Sequence, residues 1–252
     1  MTNNIPSSTF RPCHLGVIFA LGIESGFLED SLADKITIRG EGFKAKEGDL
    51  HGRRIAIMLS RAGRANAAKA AETLINGHKP TFVLSTGFAG GLSPQLKRND
   101  IVLVNEIMLD SGESIAVAPS PWEEGIEPAD ICRGKLLTTD RIIRLADEKK
   151  SLFETTGAVA VDMETFAVAE VCRRRNIPFF AVRIIHDTAD ETLPPDIEKL
   201  LHQKTEAARI GAAIGALWKR PSSIKDMWAL KENSLVAAKK LAEFIADMVK
   251  KF

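Results

Sequence analysis

The chain has 252 residues, enough for one large α/β domain with a full core, and its 45% apolar and 27% charged content is ordinary for a globular protein. A net charge of +1 supplies no field that would gather nucleic acid or an anionic membrane. Cys13, Cys132 and Cys172 form no CxxC pair and the five histidines lack metal-ligand spacing, so reduced thiols, a cytoplasmic location, no metal and no cofactor are expected.

Residues 1–12 are mostly polar and lack the apolar centre of a signal peptide, which predicts a flexible arm. No apolar run reaches the ~20 residues that span a bilayer. Leu15 to Ala20 reads as a strand buried on both faces, because it does not alternate. Leu21 to Ala33 follows as a turn into a helix carrying Glu24, which by itself is a first-turn acid complementing the helix dipole. Lys35 to Gly40 and Arg53 to Ser60 are predicted strands joined by a charged, glycine-containing turn. Arg61-Ala62-Gly63-Arg64 then opens a helix from Ala65 to Asn76 that Gly77 stops. Its two arginines either meet an anion at that helix start or lie solvated on the surface.

Thr81 to Thr86 is another buried strand, running into Gly87-Phe88-Ala89-Gly90-Gly91, a loop whose backbone can approach a ligand closely. It is not GxGxxG, which disfavours a dinucleotide-binding dehydrogenase, and no GxSxG supports an esterase. Asp100 to Leu109 reads as a strand, and Asp110 to Arg133, with three prolines and Trp122, as a flap or subunit contact. Lys135 to Thr139 is a predicted strand, and Asp140 caps a predicted helix to Leu152.

The stretch from Ala158 to Glu191 carries the chemistry. A short apolar run turns at once into Asp162-Met163-Glu164. A helix follows with Ala167, Val168, Val171 and Cys172 on one face, ended by Asn176 and Pro178. Pro178 to Ile185 is a buried strand that stops at His186-Asp187. Acids at the carboxyl ends of two strands lie where open parallel sheets bind ligands. Two such acids suit N-glycosidic cleavage. Glu164 would stabilise an oxocarbenium-like sugar, and Asp187 would protonate the departing base. Beyond Leu193-Pro194-Pro195, a helix from Asp196 to Trp218 is broken at Arg220-Pro221, and a last amphipathic helix runs to Phe252. Its basic face could touch a membrane, but docking on the domain or a partner subunit is the plainer expectation. The expected layout is an arm over 1–12, a domain over 13–220 and a helical appendage of that domain over 221–252.

VDMETFAVAEVC, then IPFFAVRIIHDTAD, resembles the motifs of the purine nucleoside phosphorylase and nucleosidase superfamily. The closest resemblance is to methylthioadenosine/S-adenosylhomocysteine nucleosidases and to the nucleoside phosphorylase-like proteins of hopanoid biosynthesis. It implies a three-layer αβα fold with a mixed central sheet, and a homodimer or higher homo-oligomer. It further implies Met163 and Glu164 against the ribose, Arg183 supporting Glu164, Asp187 facing the purine N7 and Glu24 activating water. Gly87, Phe88, Ala89 and Gly90 match the loop beneath ribose and base. Phe88 stands where the methylthioadenosine branch has serine, and Ile142 where adenosine-specific enzymes stack a phenylalanine. Phosphorylases commonly carry an arginine before this glycine, where Ser85 and Thr86 stand here. The leading expectation is therefore a hydrolase, a nucleosidase for a purine nucleoside or a methylthioadenosine-, adenosylhomocysteine- or adenosylhopane-like substrate. Arg61 and Arg64 keep phosphorolysis open as the runner-up. A non-catalytic nucleoside-binding module is the third reading, against which stand all three acids, since a binder needs no proton donor.

Overall fold

The computed structural model describes residues 13–40, 43–119, 131–194 and 222–251. Strand β1 (Leu15–Phe19) is buried along its whole length, between two parallel neighbours. These are β4 (Arg53–Leu59) and β5 (Phe82–Gly91), with Val17 level with Ile57 on one side and Leu84 on the other. Alternate β1 side chains enter two different cores. Val17 and Phe19 pack with Leu28 of α1 (Gly22–Ser31) and with Leu241, Ile245 and Met248 of the C-terminal helix Ser222–Lys250. Ile18 packs on the other side with Leu74 of α2 (Arg64–His78) and with Val168, Val171 and Cys172 of the helix Thr165–Arg175. Helices thus cover both faces of the sheet, giving three layers.

Past β5 the sheet closes on itself. β6 (Ile101–Leu109) carries the short β7 (Ser114–Ala116) as an antiparallel neighbour and pairs in parallel with β8 (Ile131–Thr138). After α3 (Ala146–Thr156), β9 (Ala160–Asp162) joins β8 in parallel and the end of β5 in antiparallel fashion, Gly90 facing Val161. After α4 (Thr165–Arg175), β10 (Phe179–Asp187) runs parallel to β5 and antiparallel to β6. The circuit β5–β10–β6–β8–β9 is complete, and the sheet is mixed. Its closure brings the carboxyl ends of β1, β5, β9 and β10 to one place. The final helix is α5 (Ser222–Lys250).

Several boundaries differ from expectation. The predicted turn between the second and third strands contains a strand of its own, β3 (Phe43–Leu50), antiparallel to both β2 (Ala33–Gly40) and β4. Its lysines and glutamate hide a half-buried strand, with Ala45 and Leu50 inward. The Gly-rich loop after Thr86 is strand as far as Gly91, and β8 begins at Ile131, before Lys135. Helix α2 runs past Gly77 and turns at Lys79, whose left-handed conformation precedes Pro80. Asp140 does not cap a helix. Its carboxylate is taken by Arg64, and α3 starts only at Ala146. The expected arm over 1–12, Trp122, and the helix from Asp196 to Trp218 with the break after it lie outside the described residues.

Candidate active site

A cavity of about 240 Å³ opens at the strand ends. Glu24, Phe88, Ala89, Gly90, Ile142, Met163, Glu164 and Asp187 all line it. Gly87 and Arg183 lie deeper, in a small chamber of about 10 Å³ that Glu24, Phe88 and Glu164 share with the main cavity. Arg61 and Arg64 line neither; only Ala62 of that turn reaches the cavity. Arg61 is exposed, and the Arg64 guanidinium is committed to Asp140, Nε standing 2.7 Å from Oδ1.

Glu24 sits in the first turn of α1 and reaches back to its start. Its Oε2 accepts from the Leu21 N–H at 2.8 Å, and its Oε1 from the Phe88 N–H at 3.0 Å. The second bond requires β5 to come very close. Gly87 has φ +145°, and a Cβ there would lie 3.0 Å from the Glu24 carboxylate. A side chain there is disfavoured twice, by conformation and by contact. Burial raises the Glu24 pKa, against the opposing pull of the two N–H groups and of Arg183.

Met163 and Glu164 form the corner between β9 and α4. Glu164 accepts from the Gly63 N–H at 2.8 Å and the Met163 N–H at 3.2 Å. Burial, and after it the charge of Asp162, push its pKa up to about 8. Arg183, expected to support Glu164, makes its hydrogen bonds elsewhere. Its Nε and Nη2 donate to Asp162 Oδ2 at 3.1 and 2.8 Å, and Nη2 also donates to Ser85 Oγ at 2.9 Å. Asp162 is in turn held by Thr138 Oγ1 at 2.7 Å and by the Thr165 N–H at 3.0 Å. Arg183 therefore acts on Glu24 and Glu164 through its field.

Asp187 ends β10 just after an irregularity in the pairing with β5, which re-aims the chain there. Its Oδ2 accepts from Lys149 Nζ at 2.5 Å. Beside it, His186 stacks on Phe88 with ring centroids 4.9 Å apart, and its Nε2 lies 2.8 Å from Ser234 Oγ. Burial lowers the His186 pKa, so the ring is neutral near pH 7. Ser234 brings α5 into the cavity wall. Among the described residues, no group of His, Cys, Asp and Glu side chains is arranged to hold a metal, and no helix is long and apolar enough to cross a membrane.

Residues 14–217 match the family model described as the phosphorylase superfamily. The chain belongs to the phosphorylase superfamily. Solved structures within reach of this fold include a 5′-methylthioadenosine/S-adenosylhomocysteine nucleosidase from Neisseria meningitidis in complex with methylthio-immucillin-A. It is 23% identical, with a TM-score of 0.73, over 95% of this chain and 99% of that one. The futalosine hydrolase of Helicobacter pylori strain 26695, as a mutant, is 19% identical with a TM-score of 0.73, over 95% and 100% of the chains. A 5′-methylthioadenosine/S-adenosylhomocysteine nucleosidase from S. pneumoniae is 15% identical with a TM-score of 0.74, over 94% and 98%. At these identities the likeness is one of fold.

Sequence reasoning missed Lys149, Asp162, His186 and Ser234. Asp162 was within view, two residues from Glu164 at the same strand end. Lys149 had a fainter signal, since it shares a helix face with Leu152 and Phe153, three and four residues on, although its neighbours Glu148 and Lys150 suggest a solvated surface. Ser234 carries no local signal at all, because only the packing of α5 across α1 brings it to the site.

Proposed function

We propose that this protein is a nucleosidase that hydrolyses the N-glycosidic bond of a purine nucleoside, most simply one with an altered 5′ group. The observation that carries the choice of water is the small chamber. Its roughly 10 Å³ is near the room one water needs, about 10–15 Å³. Thr86 Oγ1 is buried there without a hydrogen-bond partner among the described residues, next to Glu24, Ser85 and Arg183. A water in that place would satisfy the hydroxyl and stand within reach of the Glu24 carboxylate. Arg183, the arginine in the chamber, is already engaged with Asp162 and Ser85.

In this reading water attacks C1′ while Glu24 accepts its proton, a task suited by a carboxylate whose basicity burial has raised. Glu164 takes the ribose hydroxyls, whose donated hydrogen bonds favour its ionised form as positive charge develops on the sugar. Asp187 delivers a proton to the purine as the C1′–N bond breaks. The mainly apolar remainder of the wall, including Ile23, Ile142 and Leu193, suits a base and an uncharged 5′ substituent. The family membership and the resemblance in fold to nucleosidases support the same reading.

The test is to incubate the protein with a panel of purine nucleosides and 5′-modified adenosines, in phosphate and in phosphate-free buffer. Free base and a non-phosphorylated sugar at equal rates in both buffers are expected. Base release that climbs with phosphate and yields a sugar 1-phosphate would reject hydrolysis.

A further inference from the structure

Lys149 is fully buried, and no solvent reaches its ammonium. Its three N–H bonds have three acceptors: Asp187 Oδ2 at 2.5 Å, the Thr188 carbonyl at 2.7 Å and the Glu191 carbonyl at 2.9 Å. The other oxygen of Asp187, Oδ1, has no hydrogen bond among the described residues, and Asp187 lines the cavity. The remaining charges nearby are otherwise engaged. Arg98 is bound to the Glu191 carboxylate at 2.6 and 2.7 Å and to the His186 carbonyl. Asp190 faces Thr188, and His186 is held neutral by burial. Lys149 is therefore the cation in direct contact with Asp187.

Stability alone is a poor reason for this arrangement. A buried ion pair is commonly no better than apolar residues of similar volume, and α3 could fill the space with leucine. A chemical reason is available. The Lys149 ammonium places an N–H one hydrogen bond behind the carboxylate that faces the cavity, so a proton passed on at Asp187 can be replaced from Lys149.

We propose that Lys149 is the proton reserve of Asp187, passing a proton through the carboxylate to the departing purine from a position 38 residues away in the chain. The proposal rests on the nucleosidase reading. The C1′–N bond breaks with its electron pair going to the base. A base nitrogen takes a proton at Asp187, and the carboxylate takes one from Lys149 Nζ, leaving a neutral amine with its carbonyl contacts to Thr188 and Glu191. The attacking water gives its proton to Glu24. When the products leave, Glu24 loses that proton to solvent and Lys149 regains one through Asp187, so the cycle balances as nucleoside plus water to sugar plus base. Lys149 touches no substrate atom in this scheme; it is a positioning residue that works through Asp187.

Two variants and two substrates test this. Lys149→Gln keeps a hydrogen-bond donor to Asp187 without a dissociable charge. Lys149→Arg keeps the charge, but a guanidinium does not give up its proton. Both variants are expected to lose about 100-fold in kcat on a purine nucleoside, the size of a general-acid contribution, with KM little changed. On p-nitrophenyl riboside, whose leaving group departs as a stable anion, both should stay close to wild type. That activity also shows that the variants are folded. Lys150→Gln, on the exposed side of α3, should match wild type on both substrates. Equal losses on the two substrates would mean a merely structural lysine, and full turnover by Lys149→Arg would mean that charge alone suffices; either result overturns the relay. Base release by wild type with an unimpaired Lys149→Gln refutes the relay alone. A wild type that releases no base from any purine nucleoside refutes the nucleosidase reading, and the relay with it.

Discussion

Replacing Gly87 with alanine tests whether β5 truly places Glu24. The new Cβ would face two penalties. At φ +145° an L-residue is strained, which costs on the order of 1–3 kcal/mol. It would also stand 3.0 Å from Cδ and both oxygens of Glu24, closer than carbon contacts normally come, so the carboxylate must shift. Gly112 provides the control, with φ +92° and nothing within 4 Å of an added Cβ. Gly112→Ala meets only the backbone strain. Since 1 kcal/mol corresponds to roughly 2–4 °C for a chain of this size, both variants should melt several degrees below wild type. Only Gly87→Ala should also lose activity, by about 10-fold or less, because the carboxylate must give way by a few tenths of an ångström where a full 1 Å would cost about 100-fold. Melting curves and base-release rates on the same preparations decide the matter. Near-wild-type turnover in Gly87→Ala, or an equal loss in Gly112→Ala, would refute the argument that this close approach sets the position of Glu24.

Asp187→Asn keeps the shape but cannot pass a proton, so turnover should fall by about 100-fold or more while an uncleavable nucleoside analogue still binds in calorimetry. Glu164 predicts a pH dependence of stability. Its folded pKa of about 8 lies above the ordinary 4.5, so the folded state holds the extra proton between these values and stability declines as pH rises from about 4.5 to 8. Glu24, also raised, adds in the same direction. Melting temperature followed over this range should slope downward, and Glu164→Gln should flatten the slope; an unchanged slope would show that another group carries it. Arg61→Ala and Arg64→Ala should leave base release unaltered with or without phosphate, because one is exposed and the other holds a partly exposed pair with Asp140 that contributes ~0–1 kcal/mol. A phosphate-dependent rate that either substitution abolishes would restore them as anion ligands.

Local order in the chain was enough to mark three acids, Glu24, Glu164 and Asp187, that the fold brings to one cavity. An apolar run without alternation is a strand buried on both faces, and an acid directly after it must emerge at the strand's carboxyl end. That reasoning marked Glu164 and Asp187 from their own neighbourhoods, and the glycines after Thr86 marked a backbone that something approaches. It failed where a segment's polarity concealed its partners. Phe43–Leu50 reads as a charged turn because the residues that bury it belong to its neighbours in the sheet. Asp140 reads as a helix cap because Arg64, its actual partner, is 76 residues away.

The sequence by itself determined the order of strands and helices, β3 and β7 excepted, and the acids at the strand ends, since both follow from the side-chain periodicity of short stretches. The tertiary structure alone decided what each acid faces. Gly63 and Glu164 meet across 101 residues, Phe88 and Glu24 across 64, and Lys149 and Asp187 across 38. These pairings exist because β5 takes β1, β9 and β10 as neighbours at once and closes the sheet, a choice made by competing long-range packing that no local pattern encodes. Hence Arg183 hydrogen-bonds Asp162 and reaches Glu164 through its charge, and a lysine that looks solvated in sequence is the most deeply buried charge beside the site.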